Sequence, residues 1–203
     1  MSGGRNGRIR AARGRPPSGQ SALRVISGSA RGRRLKSVPG DSTRPIMDRV
    51  KEALFNILST RVEGTQWWDL FAGTGAVGIE ALSRGAAFVR FSEISSPALE
   101  VLHWNIAHCG FGQLSEVLSG DALKFIRLPT NRVFDYIYVA PPQYKNLWTT
   151  SLQGLDANPG WVRPGGTIVV QIDPREDAEV DLLAFREIES RKYGRTLLKF
   201  LQR

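Results

Sequence analysis

The 203 residues are 41% hydrophobic and 23% charged, an ordinary globular balance, and they suffice for one α/β domain that buries its core without disulfides. The single cysteine, Cys109, excludes an internal disulfide, and with only two histidines, His103 and His108, a typical structural zinc site lacks ligands, so no metal is expected. No apolar run approaches the ~20 residues of a membrane span; a monomer in a reducing compartment, the cytoplasm, is the expectation.

The net charge of +9 is concentrated at one end. Residues 1–44 hold eleven Lys and Arg against one acid, Asp41, whereas the remainder holds 17 basic and 18 acidic residues. Such an arm suits a polyanion such as RNA, serves as a solubilising tail, or reads as a plastid-type targeting segment, a role for which it is short and glycine-rich. Residues 1–22 form a basic tail whose first 20 residues have too few apolar side chains to order. Residues 23–60 form a basic strand and helix element: a strand at 23–26, a basic turn and strand at 28–36, a break at Pro39-Gly40, and a helix over 43–58, capped by Thr43 or Asp48.

From 61 to 203, strands and helices alternate. Strands are expected at 66–71, 88–92, 116–118, 134–139 and 167–172, the last entered through a turn at Arg163-Pro164-Gly165-Gly166. Helices are expected at 76–84, 96–108, 122–126 and 147–155. A closing hairpin is expected from 186–191 and 195–201 across Tyr193-Gly194. The pattern predicts a doubly wound, mostly parallel, seven-stranded α/β sheet of Rossmann-like type with a basic N-terminal extension. Ligands of such sheets bind at the carboxyl ends of the strands.

Four motifs fall at those ends. The run Asp69-Leu70-Phe71-Ala72-Gly73-Thr74-Gly75-Ala76-Val77-Gly78 follows the first of these strands and opens a helix, as in a nucleotide-binding turn. An acid at Asp69 would repel a pyrophosphate but suits the sulfonium and ammonium of S-adenosylmethionine. Glu93 ends the next strand, where it is either a solvated acid or the acceptor of the ribose hydroxyls. Asp121, before Ala122, is either an acceptor for the adenine amino group or a helix N-cap. The fourth motif is Ala140-Pro141-Pro142-Gln143-Tyr144. Its prolines remove two N–H donors, leaving carbonyl oxygens for an exocyclic amine, and Tyr144 offers a ring for an extracted base.

These residues, with Arg24-Val25-Ile26-Ser27-Gly28, Arg31-Gly32-Arg33-Arg34-Leu35, the stretch 43–56, Glu80 to Gly85 and Gly120-Asp121-Ala122, resemble the RsmD-type ribosomal RNA guanine-N2 methyltransferases, within the class I S-adenosylmethionine methyltransferase fold. The likeness runs from about Leu23 to the end and is most specific over 43–56. It implies methyl transfer to N2 of one guanine in 16S rRNA, on an assembling small subunit, with S-adenosylmethionine held by Asp69, Phe71, Ala72, Gly73, Gly75, Glu93, Asp121 and Ala122. It also implies a catalytic turn at Ala140, Pro141, Pro142, Gln143 and Tyr144. The chain departs from the family there: Ala140 replaces an Asp, and Gln143 separates the prolines from the aromatic. Either the Gln143 amide oxygen or a main-chain carbonyl of Ala140 or Pro141 then accepts the amine proton.

Arg31, Arg33, Arg34, Lys36, Arg44 and Arg49 are the expected RNA contacts, by phosphate binding. Trp67 and Trp68 belong to the core, and Trp148 is near enough to Tyr144 in sequence to border a base pocket. Cys109, beside a helix end, is read as packing rather than as a nucleophile. Three rivals stand beside this reading: a nicotinamide-dependent oxidoreductase, a non-catalytic RNA-binding assembly protein, and a DNA adenine methyltransferase.

Overall fold

The computed structural model describes residues 23–38 and 48–203. The basic tail, Arg44 and the first turn of the helix expected from Thr43 lie outside them.

Seven strands form one sheet: β1 (Gln66–Asp69), β2 (Phe88–Glu93), β3 (Ser115–Ser119), β4 (Phe134–Val139), β5 (Val162–Ile172), β6 (Arg186–Tyr193) and β7 (Thr196–Gln202). The order is β3-β2-β1-β4-β5-β7-β6. The first five strands run parallel to one another, and β7 runs antiparallel to both β5 and β6. This is the doubly wound sheet expected, closed by the expected hairpin. The chain reverses at β1, so β2 and β4 flank it and their carboxyl ends share one edge with that of β1.

Alternation along the strands divides the core. Trp67 and Tyr136 face a cluster with α1 (Asp48–Leu58), α2 (Ala76–Ser83) and α3 (Ser96–Cys109). Trp68, Leu70 and Ile137 face the other, with α4 (Ala122–Phe125) and α5 (Leu147–Ala157). Trp67 and Trp68 are both core residues, as expected, and Trp67 stacks between Phe55 at 5.6 Å and Tyr136 at 4.6 Å. Trp148 is 2% exposed and belongs to the second cluster. The buried Arg90 is enclosed by Trp68, Phe134 and Trp161 and paired with Glu116 at 2.7 Å, which balances the cost of its burial. The fifth strand also differs. It begins at Val162, and the Arg163–Gly166 segment is a bulge inside it: Phe134 pairs with Val162 and Tyr136 with Thr167.

Residues 23–38 form a strap across α2 and α3; in place of the strands expected at 23–26 and 28–36 it has only a bridge between Arg24 and Arg34, because Glu80 and Ser83 of α2 take the backbone N–H groups of Ile26, Ser27 and Ala30. Every residue of α2 is buried, because the sheet covers one side and the strap and α1 cover the other. That leaves Glu80 and Ser83, polar residues on an apolar helix, in need of partners. The Glu80 carboxylate accepts N–H bonds from Ile26 at 2.8 Å and Ser27 at 3.0 Å, and pairs with Lys51 at 3.2 Å and Arg84 at 2.8 Å. Lys51 also donates to the Arg24 carbonyl at 2.5 Å. Burial pushes the Lys51 ammonium below its ordinary pKa, against the pull of Glu80. Ser83 accepts from Ala30 N–H and donates to the Ser27 carbonyl. The approach is so close at Gly28, whose φ is 83°, that a Cβ there would lie 1.6 Å from the Ser83 carbonyl oxygen.

Glu80→Ala leaves Lys51 buried without its counter-charge and two strap amides without acceptors. It is expected to lower the unfolding free energy by about 3–5 kcal/mol in urea titration, with amide exchange rising first over residues 23–36.

Candidate active site

The ladder does not stop at the end of β1. Leu70 N–H donates to the Tyr138 carbonyl and Ala72 N–H to the Ser92 carbonyl, both at 2.9 Å. The segment before the glycine turn is thereby clamped between β4 and β2. The chain then breaks at Gly75, the N-cap of α2, whose φ of 77° suits a residue without a side chain. A Cβ at Gly75 would also come within 2.4 Å of Leu102.

Asp69 lies behind this turn, 2% exposed, and its Oδ2 accepts the Gly78 N–H at 3.1 Å. Burial pushes its pKa up to about 7; the Gly78 bond works against this, and the charge of Glu93 adds to it. A carboxylate so placed lacks positive charge. Burial, and then the charge of Asp69, raise the Tyr138 hydroxyl well above its ordinary value, and that hydroxyl donates to Gln171 Oε1 at 2.6 Å.

Glu93 stands at the end of β2. Its Oε2 accepts Gly73 N–H at 2.8 Å, and its Oε1 accepts Ile94 N–H at 2.9 Å and Ser95 N–H at 2.8 Å. Three of roughly four lone-pair positions of a carboxylate are thus engaged, which ties the glycine turn to β2. Beside it Ile94 is 69% exposed, an apolar surface at the strand-end edge that charge and motif patterns did not flag. Asp121 Oδ1 accepts Leu123 N–H at 2.9 Å and caps α4, so the capping role holds for this acid. Phe71 is half-buried, Ala72 and Ala122 are buried, and Gly73 is half-buried at the turn.

Ala140, half-buried, follows β4 and packs on the same core cluster as Trp67. Pro141 is buried, whereas Pro142 and Gln143 are exposed. Tyr144 is 58% exposed with a φ of 60°. Its N–H donates to Glu176 Oε1 at 2.7 Å, and its hydroxyl to Asp173 Oδ2 at 3.0 Å. The Arg175 N–H and then the Tyr144 hydroxyl hold the Asp173 carboxyl below the usual range. Neither acid carries a motif signal; each follows β5 in sequence and meets the turn only because β5 lies beside β4.

Arg31, Arg33, Arg34 and Lys36 all lie exposed on the strap. Arg33 donates to the His108 carbonyl, and the Lys36 ammonium sits 3.9 Å over the Trp104 ring, which stacks on His108 at 4.5 Å. Arg49 is exposed on α1. Buried Asn105 joins the strap to the glycine turn: it accepts from Lys36 N–H at 2.8 Å and donates to the Lys36 carbonyl at 3.1 Å and the Thr74 carbonyl at 2.9 Å. A polar residue on the apolar stripe of Ala98, Leu102 and Cys109 was the available signal for it. Cys109 is buried, and burial pushes its thiol pKa up, the setting of a packing residue. An open groove of about 610 Å³, lined by Arg127, Pro129, Thr150 and Asn158 among others, shares no residue with the strand-end edge.

Residues 23–202 match the model of a family described as Conserved hypothetical protein 95. Among its relatives is a Haemophilus influenzae protein named Ribosomal RNA small subunit methyltransferase D, 35% identical over 77% of this chain and 82% of its own. The Escherichia coli K12 protein of that name is 36% identical over 76% of each. A solved Escherichia coli chain, provisionally named a methyltransferase, superposes with a TM-score of 0.78 at 29% identity, covering 90% of this chain and 98% of that one.

The raised pKa of Asp69 fixes a sign. Between the usual carboxylate range and about 7 the unfolded chain is ionised there and the folded chain is not. Stability therefore falls as pH rises through that window, and the cost is complete above it. Asp69→Asn is expected to raise the Tm of the ligand-free protein near pH 8, by up to about 4 kcal/mol of stability, and to confer no advantage near pH 4; denaturation at the two pH values checks it.

Proposed function

Since this chain belongs to the Conserved hypothetical protein 95 family, the RsmD family, we propose that it transfers a methyl group from S-adenosylmethionine to the exocyclic N2 of one guanine in small-subunit (16S) rRNA. The broader class, an S-adenosylmethionine-dependent rRNA methyltransferase, follows from the family. The guanine, the nitrogen and the assembling small subunit as substrate are the finer reading, as are action as a monomer and a cytoplasmic setting.

The observation that carries it is Asp69. A buried carboxylate with one N–H partner and a pKa of about 7 is short of positive charge, and a sulfonium with an α-ammonium supplies it. A pyrophosphate would deepen the deficit, which disfavours a nicotinamide cofactor. When bound, S-adenosylmethionine supplies an electrophilic methyl on a positively charged sulfur. Glu93, at the end of β2, keeps one Oε2 position for a ribose hydroxyl, exposed Ile94 is a face for adenine, and Phe71, Ala72, Gly73, Gly75, Asp121 and Ala122 are the rest of the cradle.

The residues of the turn handle the base. Tyr144 offers an exposed ring for stacking. Pro141 and Pro142 present no N–H, so the Ala140 and Pro141 carbonyls and the Gln143 amide oxygen are the acceptors for the amine protons. They would orient the nitrogen lone pair; as the N–C bond forms the S–C bond breaks, S-adenosylhomocysteine leaves as a neutral thioether, and the proton released from the alkylated nitrogen passes to water. With Ala140 in place of an acid, these acceptors are neutral, and positioning carries most of the acceleration. Arg31, Arg33, Arg34, Lys36, Arg44 and Arg49 hold phosphates.

Incubating the protein with labelled S-adenosylmethionine and small subunits lacking the modification should label one guanine at N2; label on another base, or none, sinks the proposal. Gln143→Ala is expected to lower kcat about tenfold with cofactor Kd unchanged, and unchanged turnover removes the amide from the mechanism. Replacing Arg31 and Arg34 by Ala should flatten the salt dependence of rRNA binding by about one unit of slope for each phosphate no longer neutralised.

A further inference from the structure

A tyrosine in the left-handed region is held there only when its surroundings over-determine it. For Tyr144, with a φ of 60°, those surroundings come from a different strand. Asp173 directly follows β5 and is the N-cap of the short turn Pro174–Glu176. Its carboxylate, 3% exposed, accepts Arg175 N–H with Oδ1 and the Tyr144 hydroxyl with Oδ2, each at 3.0 Å. Arg195 approaches that second oxygen at 3.8 Å. At the end of the same short turn, Glu176 Oε1 accepts the Tyr144 N–H at 2.7 Å. The tyrosine is therefore gripped twice, at its backbone amide and at the tip of its ring, by two acids three residues apart.

The grip has a feature that stability does not explain. Glu176 Oε2 is buried and has no hydrogen-bond partner among the described residues. A buried acceptor left without a donor is unfavourable, so an apolar or exposed side chain would serve the fold better at 176. What Glu176 gains is the Tyr144 N–H, in a turn whose own acid position is filled by Ala140.

We propose that Asp173 and Glu176 are positioning residues for methyl transfer: from the end of β5 they fix the amide and the hydroxyl of Tyr144, presenting its ring rigidly to the target base beside a proline turn that lacks a carboxylate. This rests on the function proposed above. The two acids do not touch the reacting atoms; they act through Tyr144. A ring free to swing would still let rRNA and cofactor bind, but the amine would reach its productive alignment less often, a loss in kcat rather than in affinity.

The test uses the full-length protein and four variants, Glu176→Ala, Glu176→Gln, Asp173→Asn and Tyr144→Phe. Its readouts are amide exchange at Tyr144, Tm, cofactor Kd, and kcat and KM on small-subunit rRNA. Glu176→Ala is expected to speed Tyr144 exchange about tenfold and to lower kcat about ten- to hundredfold, without lowering Tm or weakening cofactor binding. Glu176→Gln and Asp173→Asn each keep an acceptor oxygen and should recover most of the rate, whereas Tyr144→Phe keeps the ring but loses the Asp173 bond and should fall between. The inference is overturned if Glu176→Ala leaves exchange or kcat unchanged, or if Tm and cofactor affinity drop in step with kcat. An active wild type with an equally active Glu176→Ala sinks this inference alone; a wild type that methylates no rRNA sinks the proposed function as well.

Discussion

The carboxylate of Glu80 is where the strap, α1 and α2 meet, and the geometry of the strand-end edge depends on it. It accepts from two strap amides and pairs with a fully buried lysine and a partly buried arginine. A carboxylate this deep is tolerable only with such a complete set of partners. With the set in place, α2 is pressed between sheet and strap. The helix then holds its N-terminus, and with it the glycine turn, at the end of β1. Asn105 extends the same logic by joining Lys36 to Thr74, so the basic strap and the turn are linked through one buried side chain.

A parallel sheet concentrates chemistry because its carboxyl ends share an edge. Here that edge collects acids of three different characters. Asp69 is buried and short of positive charge, with a pKa of about 7. Glu93 is engaged by three N–H groups, and Asp173 is held ionised by hydrogen bonds at the end of β5. Burial and the number of donors distinguish them, although each is simply an acid after or at the end of a strand. The first accepts a single N–H, from Gly78, the second ties the glycine turn to β2, and the third holds an aromatic side chain.

The turn after β4 carries Ala140 where the family resemblance implies an acid, so its acceptors are carbonyl and amide oxygens. Tyr144 there has a positive φ of 60°, uncommon for a bulky residue. The hydrogen bonds that keep it so come from outside the motif.

By itself the sequence determined the doubly wound order of elements, the hairpin, the glycine turn, and the placing of Asp69 and Glu93 at strand ends, because each leaves a local trace: apolar runs of strand length, glycine where the backbone must turn, charge at a strand's end. Short-range signals served less well at the bulge of 163–166, which reads as a turn until its pairing with β4 is known. Only the tertiary structure decided the strap and Lys51 partners of Glu80, the link through Asn105 and the hold of Asp173 and Glu176 on Tyr144. These join segments 29 to 69 residues apart, set by which strands and helices become neighbours, and no local pattern encodes adjacency of that range.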